Sequence, residues 1–580
     1  MKKQLLSILL AFLPLIGWAQ NDQLTITTDS VNQLEKLLPD SIRFSMTELK
    51  VVGPISGNDL RVLKNIALHT IAKKANEKVL TVLDLSEAVL TESKGMFRVS
   101  SEALPIALFS NSKALERVVL PTTITGISKS CFSGCVSLKE IVIPESVTVI
   151  GNNAFQNCKS LRSISLPKGL TQIEDHAFDG CEELSEIDLP EAISTINSYA
   201  FNKCTNLQRV SLNCPITRLA EGTFAGCERI DSLQLPPSIN IIGDVAFKGC
   251  TALQAISMPP TLAEIGVSAF EGCASLRRME LGAATRIERQ AFKGCTNLLS
   301  FDCENTTRMG NNMFEGCLSL NTVNIDGMLG AIANETFKGC NSLEAVNLPE
   351  TVKTIGTSAF YECRSLADIY LPSSLNRIKD HAFENCTSLK RIVIPSLVKE
   401  IGNDTFENCT SLDSVRIEGF VEEIESDLFR FCHSLRKVIM PVSVKKIGDN
   451  AFEECTMLET ISLPIAVASI GDNAFAKCPS LRSITIPAAC KSIGSSAFRE
   501  CSSLATVELP AALKKIGGNA FSKCVSLREL VCRSPIPPSI AYSTFKGVVL
   551  AACKVIVPAG SRNNFRKDKT WNKMPQIVEQ

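Results

Sequence analysis

Polar and apolar residues follow one short pattern along most of this chain. From Cys158 the sequence reads Cys158-Lys-Ser-Leu161-Arg-Ser-Ile164-Ser-Leu166-Pro167, with further apolar residues at Leu170, Ile173, Ala177 and Phe178 before Cys181. Ile164 and Leu166 alternate with Ser163 and Ser165, the period of two expected of a strand with one buried face. Pro167 has no N–H to offer a neighbouring strand, so the strand stops there. Leu170 and Ile173 mark a second short extended piece turned inward. A tight turn then leads to the Ala-Phe pair. It often falls on glycine (Gly151, Gly243, Gly356, Gly402), yet Glu174, Asn197 and Lys379 hold the same place elsewhere, so a positive φ is not required in every copy.

The pattern repeats. Phenylalanine followed three residues later by cysteine recurs from Phe132/Cys135 to Phe521/Cys524, giving 18 cysteines separated by fifteen intervals of 23 residues and two of 22. Proline closes the strand in 12 of these 18 copies. A single turn of chain has no second layer against which to bury its apolar residues. Stacking the turns at about 4.8 Å pairs their strands and builds continuous inner columns of Leu, Ile, Ala, Phe and Cys. The expected fold is a curved solenoid, mainly β with short strands and helical turns, of about 20 coils of 23 residues.

The ends depart from the pattern. Lys2, Lys3, the apolar run Leu5 to Ile16 and Gly17-Trp18-Ala19 read as an export signal over residues 1–19, cut before Gln20. About 12 apolar residues are too few to span a bilayer. Residues 20–80 are expected to form an amino-terminal cap, with Leu49, Val51 and Pro54 in a strand and Asn58-Asp59 capping a helix that carries Leu60, Leu63 and Ile66. Val82-Leu83-Asp84-Leu85 opens a solenoid over residues 81–532. Phe109, 23 residues before Phe132 and with Ser112 in the cysteine slot, marks a degenerate first coil. Residues 533–580 are expected to be a degenerate coil and cap, since open ends would expose apolar columns and strand edges.

Lys plus Arg and Asp plus Glu each number 60, so no global field draws the chain toward nucleic acid or anionic lipid. Twenty-four cysteines in an exported chain invite a disulfide framework. One cysteine per coil instead makes a column whose members all point the same way, read here as buried thiols acting as small apolar groups. Cys303 and Cys532 occupy the place of Leu166 and read as core. Cys532 and Cys553 are the pair able to bridge within the terminal cap. No close cysteine pair meets a second pair or a histidine, so no metal or other cofactor is implied. His69, His176, His381 and His433 are scattered over different coils and the cap, and no phosphate-loop, dinucleotide, zinc-protease or nucleophile-elbow motif occurs. Nothing marks an active site.

The 18-fold Phe-x-x-Cys register resembles the BspA-like (treponemal-type) leucine-rich repeats of bacterial surface proteins over roughly residues 100–550. The closing segment Val555-Ile-Val-Pro558-Ala-Gly560, followed by Phe565 and Trp571, and the Gly-Trp-Ala-Gln end of the leader are similar to those of Bacteroidetes members. The resemblance implies a leucine-rich-repeat solenoid outside the cell and, in several members, adhesion to host matrix proteins or other cells.

A partner would meet the residues five and seven positions after each cysteine, which face outward on the strand. Most are small and polar, as Ser163/Ser165 and Thr460/Ser462 are. One run differs: Tyr370, Val393, Arg416 and Ile439 form a column on consecutive coils, beside Asp368, Arg391, Ser414 and Lys437. Such a mixture suits protein binding better than an idle solvent face. Lys399, Glu422 and Lys445, with Glu423 beside Lys446, read as a surface charge ladder. The stretch from Gly282 to Ala331 holds both short intervals and lacks proline, which suggests altered curvature or a docking site. The expected function is non-enzymatic: an adhesin-like protein, at the cell surface, in the periplasm or secreted, that presents a concave surface to protein partners. The alternative is a glycan-binding surface protein, against which stands the scarcity of aromatics, with only Trp571 and four tyrosines left after cleavage.

Overall fold

The computed structural model describes residues 22–72, 77–93, 102–281, 286–303 and 305–580, with Glu280 and Cys303 described by their backbone alone. The export signal expected at residues 1–19 lies outside the described residues. The chain divides into two units, one ending at Gly169 and one running from Leu170 to Gln580.

In the first unit, parallel strands Gln23–Thr27, Glu48–Ile55, Val82–Leu90, Arg117–Val119 and Glu140–Val142 lie side by side in that order. Their register aligns Leu24, Leu49, Leu83, Val118 and Ile141 in one inner row. Val82–Leu90 is thus the third strand of this sheet, after two from the segment expected to form the cap. The helix spans Gly57–Ala67 and buries Leu60, Leu63 and Ile66. Its cap is Ser56 rather than Asn58-Asp59. Asp59 is the third residue of the first turn, and its carboxylate accepts N–H bonds from Ser56 at 2.9 Å, Asn32 at 2.7 Å and Leu34 at 2.9 Å. Three donors to one fully buried carboxylate tie the helix to the preceding loop. Phe109, Phe132 and Phe155 are fully buried in this unit, the first two stacked at 5.6 Å.

The second unit is built from the repeat. In the coil from Cys181 to Cys204, Leu184, Ile187, Leu189, Ile193, Ile196, Ala200 and Phe201 are all buried. The phenylalanine rings stack coil upon coil, Phe178 on Phe201 at 5.4 Å and Phe201 on Phe224 at 5.6 Å, within 10° of parallel. Longer strands such as Arg391–Ile394 and Ser414–Ile417 pair in parallel on one side. Two-residue strands such as Ile241–Ile242 and Glu264–Ile265 pair on the next. No helix interrupts the coils between Leu170 and Cys532 among the described residues; bonds from column cysteine N–H groups to the phenylalanine carbonyl three residues back, as from Cys204 to Phe201 at 3.2 Å, close single turns instead.

A third ladder runs through these turns without being a strand. Tyr199, Phe201 and Lys203 donate N–H bonds to Glu221, Thr223 and Ala225 of the next coil at 2.7, 2.9 and 2.7 Å. Tyr199 and Lys203 have φ of 57° and 55°. Alternating left- and right-handed residues aims every second N–H at the neighbouring coil. A positive φ is therefore used twice per coil from Phe178/Cys181 to Phe521/Cys524, two residues before the phenylalanine and one before the cysteine. It falls outside the glycine turn where the sequence prompted the question. Gly243, Gly356 and Gly402 have no positive φ; a Cβ there would stand 2.8, 2.6 and 2.3 Å from the preceding coil's backbone, so close approach selects glycine.

The cysteine column differs from its expected role as packing alone. The described cysteines are free and buried, and each column thiol from Cys204 to Cys524 donates to the phenylalanine carbonyl one coil earlier. Cys227 Sγ reaches Phe201 O at 3.1 Å, the same oxygen that accepts Cys204 N–H. Burial pushes the thiols up, Cys250 to about 12, so they stay protonated and able to donate. Where two coils are a residue shorter, Phe301 fills the strand's inner slot and meets Phe292 and Phe314 edge-on at 5.0 and 4.6 Å. The side chain of Cys303, expected in the core, and residues 282–285 of that stretch lie outside the description.

At the far end strands Glu529–Cys532, Lys554–Val557 and Gln576–Glu579 continue the parallel sheet. Trp571 is fully buried, meets Phe545 edge-on at 5.9 Å and donates its indole N–H to Pro538 O at 2.8 Å, so it ends the phenylalanine column. The register sets Glu529 against Lys554, which leaves Cys532 and Cys553 four residues out of step. Both are buried free thiols, so the bridge that the sequence allowed is not made.

Candidate functional site

The strand face of the second unit holds the predicted columns as drawn. Ile392, Ile394, Val415, Ile417 and Val438 point inward and are buried, and strict alternation turns their neighbours out. The register places Arg391, Ser414 and Lys437 in one row, and Val393, Arg416 and Ile439 in the next. Tyr370 and Asp368 stand one coil earlier, and the Arg391 guanidinium reaches the Asp368 carboxylate at 3.0 Å. Tyr370 is 68% exposed, and Val393 and Ile439 are exposed beside it.

Tyr370 and Arg391 line a shallow hollow of about 550 Å³ with Asn347, Asp368, Val393 and the turn residues Ser373, Pro395 and Ser396. The tyrosine is held in place. Glu350 accepts both the N–H and the hydroxyl of Ser373 at 2.9 Å, which keeps its carboxyl below the usual range, and that charge pushes the Tyr370 phenol up. Arg391 and Arg416 are not free charges, as Arg416 bonds Glu418 at 2.9 Å. A second hollow of about 550 Å³ shares Arg391 and adds Lys390, Arg436, Ser411, Ser414, Ser434 and Asp413. Lys390 and Lys437 have no carboxylate within ion-pair distance among the described residues. A third, of about 710 Å³, lies around Arg209, Asp231 and Gln234 and is lined by small polar residues without an aromatic.

Sequence reading missed one part of this surface. Leu397, Phe420, Val442 and Ile465 stand on the turn after the strand in four consecutive coils, and all are exposed, Phe420 by 63% and Ile465 by 80%. The available signal was a phenylalanine out of the 23-residue register.

The charge ladder is present, with Lys445 at 2.7 Å from Glu422 and Lys446 paired to Glu423. His176 and His381 occupy the left-handed turn position and bond Asp179 at 3.0 Å and Glu384 at 2.7 Å within their own coils. Among the described residues no group of three or more His, Cys, Asp and Glu is arranged to hold a metal ion, and no helix is long and apolar enough to cross a membrane.

The family model described as BspA type leucine rich repeat region matches residues 102–231, 217–344, 307–435 and 422–550. Among solved structures, a leucine-rich repeat protein from Bacteroides ovatus is 30% identical, over 62% of this chain and 92% of that one, with a TM-score of 0.54. A leucine-rich repeat protein from Eubacterium ventriosum is 21% identical over 55% and 83%, with a TM-score of 0.37. A leucine rich cell surface protein from Faecalibacterium prausnitzii is 23% identical over 60% and 87%, with a TM-score of 0.31. No curated protein sequence matches the chain.

Proposed function

This chain belongs to the BspA-type leucine-rich repeat family, and on that premise we propose that it is a non-enzymatic, adhesin-like binding protein, exported to the cell surface or beyond, that engages protein partners through its strand face. The observation that carries the reading is the row Tyr370, Val393, Arg416 and Ile439, where an exposed aromatic, exposed aliphatics and one ion-paired arginine replace the small polar residues of other coils. Tyrosine and arginine are the residues that most often dominate protein interfaces. The fully buried thiols offer no nucleophile, since burial holds them in the protonated form.

A second reading, glycan binding, draws on Tyr370. Its ring lies open beside Asn347, Asp368 and Ser373, the pairing of an apolar face with hydrogen-bonding groups that a sugar uses. Trp571 lends it nothing, being buried.

An array of host matrix proteins, mucins and polysaccharides tests both. The chain is expected to retain on protein spots, and Arg391→Glu with Arg416→Glu to abolish that retention while its circular dichroism and unfolding midpoint stay as in the parent. Retention confined to polysaccharide spots favours the glycan reading. Protein binding that the double variant leaves intact removes this patch as the site.

A further inference from the structure

We infer that the coils between Cys363 and Cys478 take one kind of occupant: a polypeptide segment whose apolar side chains are flanked by carboxylates. This rests on the proposed binding function and narrows it to a partner chemistry.

The first support is the exposed rim. Leu397 and Phe420 stand eleven residues after the cysteine of their coil, Val442 and Ile465 ten. The interior slot beside each is already filled, because Val398, Val421, Val444 and Val467 are buried at the matching place in each coil. The rim residues are therefore additions to a complete core and not core residues pushed outward. Four such coils in sequence make a continuous apolar strip, the kind of feature that marks an interaction site on a soluble chain. The strip adjoins the Tyr370 hollow, since Pro395 and Ser396, which line that hollow, directly precede Leu397.

The second support is charge. The adjoining hollow gathers Lys390, Arg391 and Arg436 with three serine hydroxyls. Its own carboxylate, Asp413, is 3.7 Å from Arg436, and Asp368 holds Arg391. Lys390 and, in the same strand row as Arg391, Lys437 remain unpaired among the described residues. Excess positive charge beside hydroxyl donors complements a carboxylate. Because Arg391 lines both hollows, one extended segment crossing the coils can set a carboxylate in the basic hollow and lay its apolar residues on Tyr370, Val393 and the rim. A sulfated polysaccharide would satisfy the charges but has no aliphatic surface to cover Phe420 and Ile465.

The test uses the full chain and labelled synthetic peptides followed by fluorescence polarisation. One peptide alternates leucine and phenylalanine with glutamate, a second carries lysine for glutamate, and a third serine for the apolar residues. The acidic apolar peptide should bind at least ~10-fold more tightly than either control, about one logarithmic unit of Kd. Phe420→Ser with Val442→Ser, and separately Lys390→Glu with Lys437→Glu, should each weaken it by about 10-fold at an unchanged unfolding midpoint. Equal affinity for the controls, displacement by heparin with no effect of the rim variants, or no binding at all overturns the inference. So does a concentration-dependent dimer, seen by sedimentation, that Phe420→Ser dissolves, since the occupant would then be a second copy. If the Arg391/Arg416 double variant still abolishes retention on the protein array while the peptides and rim variants show nothing, the binding function stands and this inference alone falls. If the array retains nothing either, both fall.

Discussion

Val245 has a φ of 48°, in a slot filled elsewhere by Asn312, Asn450, Asn473 and Asn519 at φ of 53–59°. Asparagine tolerates the left-handed region because its short polar side chain can bond locally, whereas a β-branched side chain collides with its own backbone there. Val245→Asn is expected to stabilise the chain by about 1 kcal/mol, read as a rise in the thermal unfolding midpoint; an unchanged or lower midpoint would show that valine packing outweighs the strain. The cysteines teach a related lesson. Their spacing alone shows a column, but the thiol's bond to a carbonyl one coil earlier depends on a chain path that composition does not reveal.

Within the coils from Phe383 to Phe429, carboxylates crowd the turn that carries the phenylalanines. Glu407 is pushed up to about 7, first by burial and then by the charges of Glu384 and Asp404, while Arg430 at 3.5 Å pulls the other way. Burial likewise raises Glu384 and Asp427. The folded chain holds the Glu407 proton more tightly than the unfolded chain does. The stability this contributes is full below the ordinary carboxylate range and is lost as pH rises through about 7. Glu407→Gln should therefore raise the unfolding midpoint at pH near 8 and leave it almost unchanged near pH 4, where the native residue is already neutral. A lower midpoint at the alkaline end would mean that the Arg430 pair is the larger effect. The left-handed turn residues and the glycine contacts belong to this scale too. Which glycines answer to close approach could not be read from a list of residues that includes Glu174 and Lys379 in the same slot.

Among the described residues of the second unit the coil strands pair with those of adjacent coils, as the phenylalanine rings do. Stability in such a stack is a sum of neighbour interfaces. Phe383 is fully buried and stacked at 5.0 Å on Phe360 and 5.5 Å on Phe406. Phe383→Ala should cost about 3–5 kcal/mol, because neighbouring coils cannot close the hole. With coupling broken at one place, urea unfolding followed by circular dichroism should separate into two transitions. A single transition at the parent midpoint would contradict a nearest-neighbour stack.

The sequence by itself determined the repeat, the alternation that decides which side chains face in, the register that aligns Tyr370 with Val393 and Arg416 with Ile439, and the phenylalanine column from Phe178 to Phe545. All of these follow from periodicity, because residues one repeat apart must meet once the coils stack. Tertiary structure decided what breaks that periodicity. It set Ser56 as the helix cap, left Cys532 and Cys553 as free thiols, spent Trp571 on closing the column and left Phe420 in the open. Each of these depends on how far the backbone has turned by the time it reaches the residue, and on which neighbour already fills the interior slot, neither of which a one-dimensional pattern encodes.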